Sequence, residues 1–182
     1  MKSDSLEKVY DYSWDKITTT FWSKYWHPKC AHSRAFVTSR YLDDKNRLVT
    51  KRLHVISQDV PSYIRAIVGT PVSYAGEESI VDPQNKTLTM KTLNLSMNCM
   101  VTIDELCRYT AHGKNNSLYT KDLKISAHLN RWMDSTIEDW CVSVDAANRF
   151  NGFKVMEEIA SGVCDSFVES FTPRVSPDLH MA

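Results

Sequence analysis

The chain has 182 residues, 42% hydrophobic and 24% charged, enough for one globular domain with a substantial core. Its 22 basic and 22 acidic side chains cancel, which argues against reliance on non-specific phosphate contact and so against nucleic-acid binding. No apolar run approaches the roughly 20 residues needed to cross a bilayer, and five cysteines without a C-x-x-C pair argue against a disulfide scaffold.

The opening stretch MKSDSLEKVYDYS carries acids and no apolar run, so it reads as neither a secretory signal nor an Arg-rich transit peptide. Import into a compartment that takes small proteins without a presequence stays open. The chain then reads as a helix, a series of strands and one long helix. In SWDKITTTFWSKYW, Ser13 is a plausible N-cap, and Trp14, Ile17, Phe21, Trp22 and Tyr25 follow helical spacing. Pro28 is predicted to stop that helix. The stretch SKYWHPKCAH, Ser23 to His32, brings His27, Cys30 and His32 close together. Their spacing resembles the start of a metal site, but a further ligand would have to come from a distant segment, and no metal is expected.

Segments rich in Val, Thr, Tyr and Phe follow. Ser33–Leu42, Arg47–Ile56, Glu77–Val81, KTLTMKTLNLS, MVTIDELCRYT and SLYTKDLKISA read as strands, punctuated by the turn signals DDKN, DPQN and HGKNN. In KTLTMKTLNLS the apolar phase changes from Leu88 and Met90 to Leu93 and Leu95, which predicts a β-bulge. Between two strands, DVPSYIRAIVGTP predicts a short helix starting at Pro61 and ending at Gly69, with Tyr63, Ile64, Ile67 and Val68 as its apolar face. That face suits either a core-packed connector or a mobile lid that touches a membrane.

From Asn130 to about Ser170 the pattern is one long helix, with Met133, Ile137, Cys141, Val144, Val155, Ile159, Val163 and Phe167 as its stripe. Asn148 lies on that stripe, as a satisfied core amide or as a group facing a cavity with a polar ligand. Gly152, one turn on, would let something approach the helix closely. An antiparallel curved sheet crossed by one long helix, an α+β class, is a natural container. There is no Gly-rich phosphate loop, no G-x-S-x-G elbow, no H-E-x-x-H and no nucleophile set beside a base. No enzymatic activity and no cofactor are expected.

Five stretches, VYDYSWDKITTTFWSKY, KRLHVISQDVPSYIRAIVG, ESIVDPQNKTLTMKTLNLS, MVTIDELCRY and ANRFNGFKVMEEI, resemble the PRELI/MSF1 domain family, nearest its slowmo branch. The resemblance runs from about Leu6 to about Phe171, with SIVDPQNKT its most specific part. It implies a START-like fold: a curved antiparallel sheet of about seven strands with a long C-terminal helix around a lipid cavity. It also implies phospholipid transfer between the mitochondrial outer and inner membranes. The implied location is the intermembrane space, with transient membrane contact and a small twin-Cx9C, helix-coiled-coil-helix partner in a heterodimer.

Carried over position by position, the resemblance implies headgroup-binding residues Lys24, His32, Arg52 and Asn148, and a lid containing Pro61, Tyr63, Ile64, Ile67 and Val68. Trp26 and His27 depart from the family's pattern after Tyr25, and Ile56, Val144 and Asn151 stand where some members carry basic residues. Closeness to the slowmo branch favours phosphatidylserine over phosphatidic acid. The transfer domain is expected over residues 1–171, with 172–182 a disordered tail. The alternative is a non-transferring interaction protein with a filled core.

Overall fold

The structure, a computed structural model, describes residues 1–57, 60–69 and 72–162. The helix extension to about Ser170 with Val163 and Phe167, the boundary at 171 and the tail 172–182 lie outside the described residues, as do the side chains of Ile67 and Val68.

Seven antiparallel strands form one sheet: β1 (Lys2–Tyr10), β2 (Ser33–Leu42), β3 (Leu48–Ser57), β4 (Val72–Asp82), β5 (Thr87–Asn94), β6 (Val101–His112) and β7 (Asn116–Ala127). Their order is β1-β7-β6-β5-β4-β3-β2, so the chain meanders from β2 to β7 and β1 closes the far edge. The turn residues set the hairpins. Asp43 Oδ1 accepts the amides of Lys45 and Arg47, Asp82 Oδ1 accepts those of Gln84 and Asn85, and Asn46, Lys86 and Gly113 take positive φ.

Two expectations are corrected. β1 was not expected, because its inward positions are mostly charged. Lys2, Asp4 and Lys8 pair across to Asp139, Arg149 and Glu157 on the long helix, so ion pairs, not an apolar stripe, fix that face. The bulge falls in β2, between Val37 and Ser39, and not in β5, whose register with β4 and β6 is unbroken. The phase change in β5 therefore turns Leu93 outward and Thr92 and Asn94 inward.

Helix α1 (Trp14–Ser23) is capped by Ser13 Oγ on the Lys16 amide and buries Trp14, Ile17 and Phe21. It ends before Pro28, and two 3-10 turns, Lys24–Trp26 and Pro28–Cys30, lead into β2. Short helix α2 (Ser62–Val68) ends on Gly69, whose φ of 77° suits a residue without a Cβ. The 30-residue helix α3 (Arg131–Ala160) is capped by Asn130 Oδ1 on the Met133 amide.

The apolar core is split in two. One cluster joins Tyr10, Phe21, Leu88 and Tyr109 to Met156 and Ala160 near the C-terminal end of α3. The other joins Val60 and Ile64 of the α2 segment to Val101, Leu123, Ile125, Ile137 and Cys141. Between Cys141 and Val155 no α3 side chain is buried. Among the described residues, no helix is long and apolar enough to cross a membrane.

The split core makes side-chain deletions unequal. Leu88→Ala, at a fully buried site, is expected to cost about 2–5 kcal/mol in urea unfolding. Val144→Ala, on the side of α3 that faces open space, should cost under about 1 kcal/mol, because no new cavity forms. Equal losses would indicate a filled core at Val144.

Candidate functional site

The gap between the two clusters is a hollow with two chambers. The apolar chamber, about 1130 Å³ including its open mouth, is walled by Val60, Val101, Leu123, Ile125, Trp140 and Val144. The polar chamber, about 990 Å³, is walled by Lys24, His32, His54, Glu77, Lys121 and Arg149 among others. Both are lined by Ile56, Ala75, Thr92, Glu105, Asp145 and Asn148, so they adjoin across a shared wall.

Of the residues expected at a headgroup site, Lys24, His32 and Asn148 come together on the polar chamber wall. The first 3-10 turn after α1 aims the Lys24 side chain at α3, where a Cβ added to Gly152 would stand 3.4 Å from Lys24 Nζ. The close approach that the glycine permits is thus made by an ammonium group. Among the described residues, Lys24 has no carboxylate within ion-pair distance; its nearest described aromatic contact is the Tyr25 ring, 5.3 Å from Nζ. Burial, and then the Lys24 charge, lower the pKa of His32 below its ordinary value, so its imidazole is neutral at pH 7. Asn148 lines both chambers, and among the described residues no side-chain hydrogen bond holds its amide.

Arg52 is placed differently. It is 5% exposed and does not line the chamber. Its Nε donates to Glu77 Oε1 at 3.0 Å, Nη2 donates to the same oxygen, and its guanidinium lies 4.6 Å from the Phe21 ring centroid and 5.1 Å from that of Tyr25. Glu77 stands between Arg52 and the hollow. Its Oε2 accepts from His54 Nε2 at 3.2 Å and lies 3.5 Å from the Tyr25 hydroxyl, while His54 Nδ1 is 3.3 Å from Ser33 Oγ. Burial alone would raise the Glu77 pKa, but the His54 hydrogen bond and the Arg52 charge outweigh it and keep the carboxylate ionised.

Sequence reasoning missed the opposite wall. Lys121 on β7 is buried and donates to Glu105 Oε2 at 2.6 Å and to Asp145 Oδ1. Burial lowers its pKa, but the two carboxylates raise it by more. Arg149 Nη2 is 2.9 Å from Asp4 Oδ2 and 3.6 Å from Asp145 Oδ2. Among the described residues Asp145 Oδ2 is buried without a hydrogen-bond donor, as is the Tyr10 hydroxyl on the same chamber wall. The available signal was helical spacing: Asp145, Asn148 and Gly152 fall on one face of α3.

The lid residues divide. Ile64 is fully buried in the second cluster, Pro61 is half-buried, and Tyr63 is 55% exposed. The possible metal ligands do not converge. His27 accepts the Lys29 amide and faces Glu158 at 3.3 Å, while Cys30 and His32 line the chamber. Among the described residues, no group of three or more His, Cys, Asp or Glu is placed to hold a metal ion.

Comparisons agree with this architecture. Solved structures with the same fold include the Zhui aromatase/cyclase from Streptomyces sp. R1128, with a TM-score of 0.61 at 6% identity, covering 88% of this chain and 93% of that one. A START superfamily protein from Mycobacterium smegmatis has a TM-score of 0.51 at 11% identity, covering 88% and 98%. In sequence, the mitochondrial protein UPS2 of Saccharomyces cerevisiae is 33% identical over 150 residues, 79% of this chain and 65% of the relative. The slowmo homolog of Dictyostelium discoideum is 26% identical over 159 residues, 85% of this chain and 69% of the relative. The chain thus spans about two thirds of the length of these relatives. The model of the PRELI-like family matches residues 15–166. This protein belongs to the PRELI-like family.

Proposed function

We propose that this chain is a carrier of one anionic phospholipid between the mitochondrial outer and inner membranes, with phosphatidylserine favoured over phosphatidic acid. The observation that carries the reading is the paired hollow: an apolar chamber adjoining a polar one in which Lys24 has no ion-pair partner among the described residues. Acyl chains fill the apolar chamber, and the phosphate meets Lys24 with His32 and Asn148 as neutral donors. Arg52 is a positioning residue, acting on the site by holding Glu77. Each charge-assisted bond to a phosphate contributes about 1.5–3 kcal/mol, enough to separate anionic from neutral headgroups.

The α2 segment is the lid. Ile64 keeps it closed on the second cluster, and the outward Tyr63 meets the bilayer interface as it opens. The intermembrane-space location and the small twin-Cx9C partner belong to the same proposal. Their support is the family membership and the mitochondrial label carried by the yeast relative. The reading involves no catalysis.

Lys24→Glu is expected to lower transfer of phosphatidylserine between liposomes at least about tenfold. Its melting midpoint should stay close to that of the wild type, because among the described residues no carboxylate pairs with Lys24. Unchanged transfer would remove Lys24 from the headgroup site. Native mass spectrometry of the purified protein should show a bound phospholipid, whereas a filled core would give the bare polypeptide mass.

Tyr63→Ala separates the lid from the cavity. Liposome association and transfer rate should fall several-fold, with stability changed by no more than about 0.5 kcal/mol, as is usual for an exposed side chain. A transfer rate equal to that of the wild type would place the membrane contact elsewhere.

A further inference from the structure

Strand β1 meets α3 through charges along most of the helix. Lys2 pairs with Asp139, Asp4 with Arg149 at 2.9 Å and Lys8 with Glu157 at 2.8 Å. From Asp139 to Glu157 the row runs roughly 27 Å along the helix axis. All six side chains are partly open to solvent, from 18% at Arg149 to 61% at Asp139. Ion pairs this exposed contribute little each and weaken as salt rises. Behind the row lies the polar chamber. Arg149, Tyr10 and Phe153 belong to its wall, and Lys8 Nζ stands 5.2 Å from the ring centroids of both Tyr10 and Phe153. Ion pairs thus close this side of the polar chamber, whereas Ile64 in the second cluster closes the α2 side of the apolar one.

Arg149 has two carboxylates within reach. Its Nη2 is 2.9 Å from Asp4 at the surface and 3.6 Å from Asp145 Oδ2 inside, the second distance too long for a hydrogen bond. Asp145 is ion-paired with Lys121 as well, through Oδ1, yet among the described residues its Oδ2 is buried without a hydrogen-bond donor. An inward shift of less than about 1 Å would bring the guanidinium into hydrogen-bond range of that oxygen. The loss of the Asp4 contact would then be offset inside the protein, where satisfying a buried acceptor is worth most.

We infer that Arg149 is a two-position bar across a side entrance to the polar chamber. On Asp4 it holds α3 to β1; on Asp145 Oδ2 it releases that seam, and dissolved ions competing for the row of pairs are the trigger. The entrance lies at the β1 edge of the sheet, whereas Lys24 comes from the 3-10 turn beside β2 at the other edge. It opens without movement of the α2 lid and does not depend on what the chamber holds.

Site-resolved mass spectrometry of iodoacetamide labelling on the full chain tests this with native thiols. Cys30, 4% exposed, lines the polar chamber; Cys107, 3% exposed, does not; Cys99 is at the surface and sets the reference rate. Raising salt from about 20 mM to about 500 mM shortens the screening length severalfold and should speed Cys30 at least about threefold relative to Cys99, with Cys107 still protected. Asp4→Asn should give the faster rate already at low salt and remove most of the salt dependence. Lys8→Gln should act in the same direction, so either variant carries the test. Lys29→Gln removes the pair with Glu158 on the other flank of α3 and should leave Cys30 at the wild-type rate. A Cys30 rate unmoved by salt and by the β1 variants, or raised by Lys29→Gln alone, would overturn the side entrance. Cys30 and Cys107 reacting together would overturn it too, since entry would then follow unfolding.

Discussion

The hollow depends on α3 being packed onto the sheet at both ends and held off it in the middle. Ile137 and Cys141 anchor one end, and Met156 and Ala160 the other. The stretch between them, about 20 Å of helix, carries Val144, Asp145, Asn148 and Arg149 on the wall of the cavity. Collapse of that stretch onto the sheet would press two charged groups and an amide against a wall already occupied by Glu105 and Lys121. The desolvation cost of such groups, when they lack partners, is several kcal/mol each. Polarity in the middle and apolarity at the ends therefore do the same job from opposite directions. They keep a domain of this size from filling its own centre.

The buried charges divide by how completely they are satisfied. Arg52 is stacked on Phe21 and Tyr25 and spends its hydrogen bonds on Glu77, which is in turn closed by His54. A pair taken out of water offsets its desolvation only through such geometry, and removing either partner would strand the other. Arg52 is thus committed to the wall, and charge reversal there would set two carboxylates together in the core. Lys24 is different: among the described residues no carboxylate stands within ion-pair distance of it, whereas Asp145 is paired with Lys121 and Arg149. Groups with unspent hydrogen-bonding capacity, held in place by satisfied neighbours, are what a preorganised binding site consists of.

Much of the scaffold was legible in the sequence because local chemistry agrees with the fold. The Ser13 and Asn130 caps, the Asp43 and Asp82 turns and the Gly69 stop each act within a few residues of themselves. What was not legible depended on partners far along the chain. β1 reads as polar because its inward Lys2, Asp4 and Lys8 find their counter-ions about 140 residues later, on α3. At the site, Lys24, His32 and Asn148 were found and do share a chamber. The resemblance implied a headgroup role for Arg52, and a single arginine on a strand gives no sign of the glutamate directly opposite it on the neighbouring strand. Its pairing with Glu77 is visible only once β3 and β4 are aligned. Lys121 and Asp145 were passed over as ordinary charged positions, since neither sequence nor spacing tells a solvated charge from one facing an internal space.

The misplaced bulge is instructive because its signal was sound and its cause was not. A change of apolar phase in a strand usually means an inserted residue, since that is what rotates the pleat. In β5 the register continues, and the inward positions simply become polar at Thr92 and Asn94. The α3 stripe is interrupted in the same way at Asp145 and Asn148. Thr92, Asp145 and Asn148 all line both chambers, so the interruption in the strand and the interruption in the helix border one space. Asn94 lines the apolar chamber and satisfies its own amide on the backbone of Ser96, Val101 and Ile103, so it costs the wall nothing. In a solid domain such breaks would each leave a buried polar group to be matched. Here they coincide because neither side has anything to pack against.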